Sequence, residues 1–213
     1  MQRKKSKKIQ LNLGCGIAVI KDFINVDKFY TLKQLKEKKG IFKRAVIQKD
    51  GKYVQGDMVA LPFKDNYADY IESIDAIEHI SYKKILKVFM EMYRVLKPGG
   101  KLCILTTNFD QLADMWVKTI TGLTLNNKKT FDKYYNLMEI IYGNQSYGGE
   151  YHVIPFNPQF LALLLSQAGF DLNKVVMSIC PMGSGDIGKK LKTQKWVKNA
   201  VVRSEMIWVE AIK

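Results

Sequence analysis

Three stretches in the first third of the chain carry the residue types that could hold a nucleoside. The first is Leu11-Asn12-Leu13-Gly14-Cys15-Gly16, an apolar run that stops in Gly-x-Gly. Glycines at such a stop let the backbone turn sharply and come close to a ligand. Eleven residues on, Ile24-Asn25-Val26-Asp27 closes a second apolar run with a carboxylate. A carboxylate there can accept hydrogen bonds from a ribose diol. The third stretch is Gln55-Gly56-Asp57-Met58, followed by Leu61-Pro62-Phe63 and Asp69. Its acid can accept from an exocyclic amine such as that of adenine, although Asp57 alone reads equally well as an Asx-type loop residue. A lone Gly-x-Gly is also an ordinary tight turn. The dinucleotide fingerprint needs a third glycine and an acid about 20 residues further on. Val19 stands where that glycine would be, and Asp27 comes too early. A nicotinamide enzyme is therefore disfavoured.

Proton-transfer chemistry has few candidates. His79 and His152 are the only imidazoles, and histidine is the side chain tuned to move protons near neutrality. His79 belongs to Ser73-Ile74-Asp75-Ala76-Ile77-Glu78-His79-Ile80, where a structural contact on a buried turn is the plainer reading. His152 follows Gly148-Gly149 amid Tyr142, Tyr147, Tyr151 and Phe156. It lines a lid pocket or sits in a loop. Cys15 has no base partner in a recognisable pattern, which disfavours a nucleophilic role. The three cysteines, Cys15, Cys103 and Cys180, are far apart and in no ligand spacing. No metal site is expected.

Strands and helices must bring these residues together. Residues 9–13, 23–26, 53–55 and 70–73 read as short strands. The spacing of Ile85, Phe89, Met92 and Leu96 predicts a helix over 81–96, one face of a 3.6-residue period. Lys83, Lys87 and Arg94 lie towards its other side, and Pro98-Gly99-Gly100 stops it. Residues 102–106 are continuously apolar, as in a strand covered on both faces. A second helix is expected over 157–168, ended by Gly169. Residues 175–179 and 206–212 close the chain as strands, antiparallel because no clear helix separates them. This alternation predicts an α/β domain with a mostly parallel sheet. Residues 109–150 fit neither pattern and hold helix-like stretches at 112–120 and 131–142. They read as a lid-like insertion over the carboxyl ends of the strands, where open α/β sheets bind ligands.

Composition narrows the class. The chain has 213 residues, 47% of them apolar and 25% charged, an ordinary balance for one globular domain. A collagen-like, disordered or disulfide-stapled protein is excluded. No apolar run reaches the roughly 18 residues needed to span a bilayer. Arg3, Lys4, Lys5, Lys7 and Lys8 followed by an apolar run imitate a secretory leader. Asn12 interrupts that run and no small-x-small cleavage site follows, so a cytoplasmic location is expected. The net charge of +14 gathers at the 1–8 tail, at 28–52 and at 189–203. Attraction to phosphates, including nucleic acid, is one reading. Solvated lysines are the other, favoured because lysine outnumbers arginine, the usual choice for bidentate recognition.

LNLGCG, INVD, QGDMVALPF, DAIEHI and YRVLKPGGKL stand in this order. Together they resemble the class I S-adenosylmethionine-dependent methyltransferases over residues 9–107, and the final strand pair fits the same fold. The very short stretch from LNLGCG to INVD, with YGNQ and YHVIPFNPQFLALLLSQAGF further on, resembles a subgroup of small methyltransferases often associated with saccharide biosynthesis. The resemblance implies one domain over 1–213, with a Rossmann-like seven-stranded sheet, mostly parallel with an antiparallel last strand, and a helical insertion after strand 5. It implies S-adenosylmethionine as cofactor and S-adenosylhomocysteine as product. Gly14 and Gly16, with Cys15 between them, would pass close to the methionine part. Asp27 would hold the ribose hydroxyls, and Asp57 would read the adenine amine with Met58 against the ring. Ser73 and Ile74 would present backbone groups near the amino acid moiety, while Asp75 and His79 would face the substrate. Two departures stand out: the first helix must be very short or absent, and the 28–52 linker is long. The expected acceptor is a small molecule or saccharide. An RNA or DNA methyltransferase is the alternative raised by the charge, but the segment after the fourth strand reads Ser-Ile-Asp-Ala. The pattern that stacks a base is Asn/Asp-Pro-Pro-aromatic. A non-catalytic cofactor-binding protein is the remaining alternative.

Overall fold

The computed structural model describes residues 8–121, 128–145, 149–180 and 206–213. The 189–203 basic cluster, the tail up to residue 7, Tyr147 and Gly148 lie outside the described residues. In chain order the strands are β1 (Gln10–Leu13), β2 (Ala18–Val19), β3 (Ile24–Asp27), β4 (Val46–Ile47), β5 (Lys52–Gln55), β6 (Ala68–Ile74), β7 (Leu96–Thr107), β8 (Val175–Cys180) and β9 (Met206–Ile212). Seven of them form one sheet in the order β5-β3-β1-β6-β7-β9-β8. Strands β5, β3, β1, β6 and β7 run parallel, and β9 is antiparallel to both β7 and β8. Leu13 lies beside Val26, and Asp27 beside Gln55. This register places Gly14, Asp27 and Gly56 at one end of the sheet.

Parallel neighbours ordinarily need a crossover of a dozen or more residues, usually a helix. Between β1 and β3 there is none, only the glycine turn and β2. The long linker fills the vacant space. Its helix α1 (Leu32–Glu37), a 3-10 turn at Gly40–Arg44 and β4 pack back on the loop. Val19, Tyr30, Leu35 and Ala45 are buried there with Phe42 and Tyr53 against them. The two departures noted in the sequence are thus one feature. Asn25, fully buried, fastens it. Its amide donates to the carbonyls of Ile20 (2.9 Å) and Lys52 (2.8 Å), and its oxygen accepts from Ile20 N–H and from Asn12, each at 3.0 Å.

Helices α2 (Ile85–Val95) and α5 (Pro158–Ala168) cover the main core. Ile85, Val88, Phe89, Met92 and Val95 of α2 are buried, the face that the periodicity indicates. The helix begins four residues later than expected because Ser81 starts a hydrogen-bonded turn, Lys84 N–H donating to its carbonyl at 2.8 Å. At the other end, the chain is already extended at Leu96 and joins β7 directly. Pro98 and Gly99 lie in that added stretch, where the pairing with β6 slips register, a place that tolerates a missing donor. Asn157 caps α5 by accepting Phe160 N–H at 2.9 Å, Pro158 opens it and Gly169, at φ +105°, ends it. Between β7 and α5 come α3 (Phe109–Thr121) and α4 (Lys128–Tyr142), joined by a Trp116–Tyr134 ring contact at 5.1 Å. No helix among the described residues is long and apolar enough to cross a membrane.

Arg94 ties α2 to the loop after β5. It donates to Glu91 Oε1 and Asp65 at 2.7 Å, and to the carbonyls of Phe63 (2.8 Å) and Leu61 (3.2 Å). Glu91 Oε2 in turn accepts Leu61 N–H at 2.8 Å. The Arg94 hydrogen bond, helped by Leu61 N–H against the opposing effect of burial, holds the Glu91 carboxyl below its usual range. Glu91→Gln is expected to lower stability at pH 7 by about 1 kcal/mol, a value kept small because the pair is partly solvated. A carboxyl with a depressed folded pKa stabilises above its unfolded pKa of about 4.3 and loses that contribution as pH falls through the folded value. The deficit of the variant should therefore vanish in urea melts near pH 3. An undiminished deficit there would contradict this origin.

Candidate active site

A cavity of about 260 Å³ opens at the carboxyl ends of β1, β3, β5 and β6. Gly14, Gly16, Asp27, Asp57, Met58, Asp75 and His79 all line it, with Lys28 and Lys84 also on its wall. This is where the strand order reverses direction, the crevice that open α/β sheets use for ligands.

Gly14 has φ +69°, and a Cβ added there would lie 2.5 Å from Cβ of Ala76. Gly16, at φ +52°, turns its N–H onto Asp27 Oδ2 at 2.8 Å. Asp27 Oδ1 accepts Phe29 N–H, also at 2.8 Å. Two backbone donors thus fix the carboxylate, and each oxygen keeps a lone pair to offer. Asp57 Oδ1 accepts Val59 N–H at 3.1 Å, and Oδ2 pairs with Lys28 Nζ at 2.7 Å. Burial works against its charge. The Lys28 hydrogen bond, Val59 N–H and nearby Lys84 outweigh burial and hold the carboxyl below its ordinary range.

Cys15, Ser73 and Ile74 are not on this wall. Cys15 is buried, and burial followed by the charge of Asp27 pushes its thiol far up, away from nucleophilic use. Ser73 is enclosed within β6 and donates to the Leu13 carbonyl at 3.2 Å. The cavity is reached only at Asp75, whose left-handed φ of +51° turns the chain off the sheet.

Beside the cavity Asp75, Glu78 and His152 come together, each with a ligand-type atom within 4.8 Å of the others. Glu78 is fully buried in the short 3-10 turn Ile77–His79. Thr106 donates to its Oε2 at 3.0 Å, while Oε1 has no hydrogen-bond donor. Burial first, and then the adjacent Asp75 carboxylate, push the Glu78 carboxyl well above its ordinary range. Burial and the neighbouring His79 push His152 down, so it is neutral near pH 7. The His79 and His152 rings meet edge to face at 4.9 Å. His79 Nδ1 lies 3.1 Å from the Tyr151 carbonyl. A carbonyl only accepts, so this contact puts the proton on Nδ1 and leaves Nε2 as the acceptor.

His152 faces a second cavity of about 440 Å³ beneath α3 and α4, whose wall includes Phe109, Leu112, Trp116, Ile141 and Ile154. Tyr142 shares that wall, whereas Phe156 is core and Tyr151 contributes its carbonyl to His79. Sequence reasoning missed Glu78 as a chemical group, although it stands inside the quoted DAIEHI motif. Lys28 was missed as the partner of Asp57; a charge run carries no signal for a single ion pair.

Counted along the main sheet alone, the strand order is 3-2-1-4-5-7-6, with the last strand antiparallel. Residues 11–104 match the methyltransferase domain family. Over these residues the chain is similar to methyltransferase domains. The methyltransferase match thus runs from β1 into β7 and contains every cavity residue named above except His152 and those of the second cavity. An uncharacterized protein of Methanocaldococcus jannaschii is 29% identical over 144 residues, 64% of this chain and 57% of its own length. Norajmaline N-methyltransferase of Rauvolfia serpentina is 33% identical over 109 residues, 48% of this chain and 37% of that protein. The chain therefore spans between about a third and three-fifths of these curated relatives. An S-adenosylmethionine-dependent methyltransferase from Archaeoglobus fulgidus shares the fold over 97% of this chain and 86% of its own, with a TM-score of 0.55 at 16% identity. Phosphoethanolamine N-methyltransferase 2 of Haemonchus contortus, crystallised with S-adenosylmethionine, covers 100% of this chain with 50% of its own, with a TM-score of 0.51 at 17% identity.

Proposed function

We propose that the protein is an S-adenosylmethionine-dependent methyltransferase acting on a small, largely apolar acceptor with one oxygen or nitrogen nucleophile. The observation that carries this reading is the pair of cavities meeting at the His79–His152 contact, one edged by carboxylates and the other by apolar rings. The first cavity fits the cofactor. Gly14 and Gly16 take left-handed conformations that bring backbone to the cavity wall, and Asp27 keeps acceptor capacity for a ribose diol. Asp57 and Met58, on the same wall, would read the adenine amine and ring.

The cofactor supplies a methyl group already activated by a sulfonium. The protein then needs mainly to position the partners and exclude water. Trp116, Leu112 and Ile154 shape an apolar acceptor site beneath α3 and α4, and these helices serve as its cover. His79 Nε2 takes the proton that an acceptor hydroxyl or ammonium loses. A saccharide would ask for several polar partners, and on this wall Thr107, Trp116, Tyr142 and His152 supply the few side-chain polar groups. That favours an apolar acceptor over a polyol.

The test is transfer of labelled methyl from S-adenosylmethionine to matched panels of phenols, hydrophobic amines, sugars and RNA. Transfer to phenols or hydrophobic amines, blocked by S-adenosylhomocysteine, is expected. His79→Gln should lower turnover roughly 100-fold. Preference for sugars or RNA would overturn the acceptor class, and no transfer to any panel would overturn the activity.

A further inference from the structure

Asp75, Glu78 and His152 arrive from different parts of the chain yet converge on one point between the two cavities. Asp75 opens the turn after β6, Glu78 sits in the 3-10 segment, and His152 comes from the irregular stretch before α5. Backbone bonds hold the last two together: Val153 N–H donates to the Glu78 carbonyl at 2.9 Å, and His152 N–H to the Tyr142 carbonyl at 3.0 Å. The meeting of Glu78 and His152 is thus fixed by main chain.

Two carboxylates and an imidazole in contact need something between them. When both are ionised these carboxylates only accept, so Asp75 and Glu78 need either a shared proton or a cation between them. Thr106 serves only Oε2 of Glu78, and the fully buried Oε1 has no donor. A buried charge without a partner costs several kcal/mol. No lysine or arginine ion pair reaches this point among the described residues.

We propose that Asp75, Glu78 and His152 form a binding site for a divalent metal cation, of the manganese or zinc type, between the two cavities. A nitrogen with two carboxylate oxygens suits these borderline cations better than magnesium or calcium, which favour oxygen alone. Ligand atoms within 4.8 Å of one another close onto bonds of about 2.1 Å with a modest side-chain adjustment. Three protein ligands leave coordination positions open, and the ones left face the cavities that flank the cluster. This site runs against the expectation from the sequence that no metal is held, and it adds to the proposed function without depending on it.

Calorimetry of tag-free, chelator-treated protein with Mn²⁺ tests it, with Zn²⁺ in parallel and Mn²⁺ paramagnetic resonance as a second readout. One equivalent should bind the wild type, and Asp75→Asn and His152→Gln should each weaken binding roughly tenfold or more. Asp75→Asn keeps side-chain shape, His152→Gln keeps a neutral polar side chain of similar length, and thermal melts establish that the variants are folded. If one of them does not fold, the other carries the test. No saturable binding of either cation to the wild type would overturn the site, as would equal binding in a folded variant. In that case the two carboxylates share a proton. Since binding is read without any acceptor, this result leaves the methyl-transfer assay to stand or fall separately.

Discussion

Gly14→Ala is expected to destabilise the fold by about 2–6 kcal/mol, from a left-handed non-glycine conformation and overpacking, each worth about 1–3 kcal/mol. At φ +69° an alanine is strained whatever space it has, and its Cβ would meet Ala76 Cβ at 2.5 Å. Removing the second partner separates the two causes. Gly14→Ala combined with Ala76→Gly should recover the overpacking part and keep the conformational part. Met58 Cε, 3.3 Å from the same point, belongs to a flexible side chain and can yield. Urea unfolding of these two variants, of Ala76→Gly alone and of the wild type measures this. A single Gly14→Ala variant within about 0.5 kcal/mol of wild type, the range of an ordinary surface change, would show that the loop relaxes freely.

Asp27→Ala should weaken S-adenosylhomocysteine binding by at least 100-fold. A ribose diol would lose two hydrogen bonds to a charged acceptor, each worth about 1.5–3 kcal/mol. Every 1.4 kcal/mol is roughly tenfold in affinity. The substitution also frees Gly16 N–H and Phe29 N–H, both of which Asp27 now fixes at 2.8 Å. The glycine turn would lose its brace as well. Asp27→Asn keeps one acceptor oxygen and should fall between. Calorimetry reads the affinities, and a melt of each variant separates lost binding from lost fold. Unchanged affinity in Asp27→Ala would remove the ribose role.

Much of the scaffold was legible because its signals are local. The period of Ile85, Phe89 and Met92 gives α2, Asn157 and Gly169 bracket α5, and the apolar run around Ile104 gives the buried part of β7. The substitution of a helix by the 28–52 linker was not legible. It depends on Asn25 reaching Ile20 and Lys52 at once, and on apolar contacts between Tyr30 and Phe42 that no short window contains. Gly14, Asp27 and Asp57 stand out in the sequence because they lie at or just past strand ends, and all three line the cavity. Cys15, Ser73 and Ile74 carry the same signal and do not line the cavity, although the role expected of Ser73 and Ile74 lies in their backbone groups. Proximity in sequence to a strand end does not say whether a side chain faces the crevice or the core, and a single residue changes the answer. Glu78 was hidden for a different reason. Its chemistry arises only when His152, from far along the chain, is placed against it.

The crevice at the ends of β1, β3 and β5 is the proposed nucleoside site. A crystal structure with S-adenosylhomocysteine addresses that directly. The account predicts ribose hydroxyls on the Asp27 carboxylate, the adenine between Asp57 and Met58, and the sulfur directed towards His79. Density for the compound at another place, or in this crevice with its ribose away from Asp27, would contradict it.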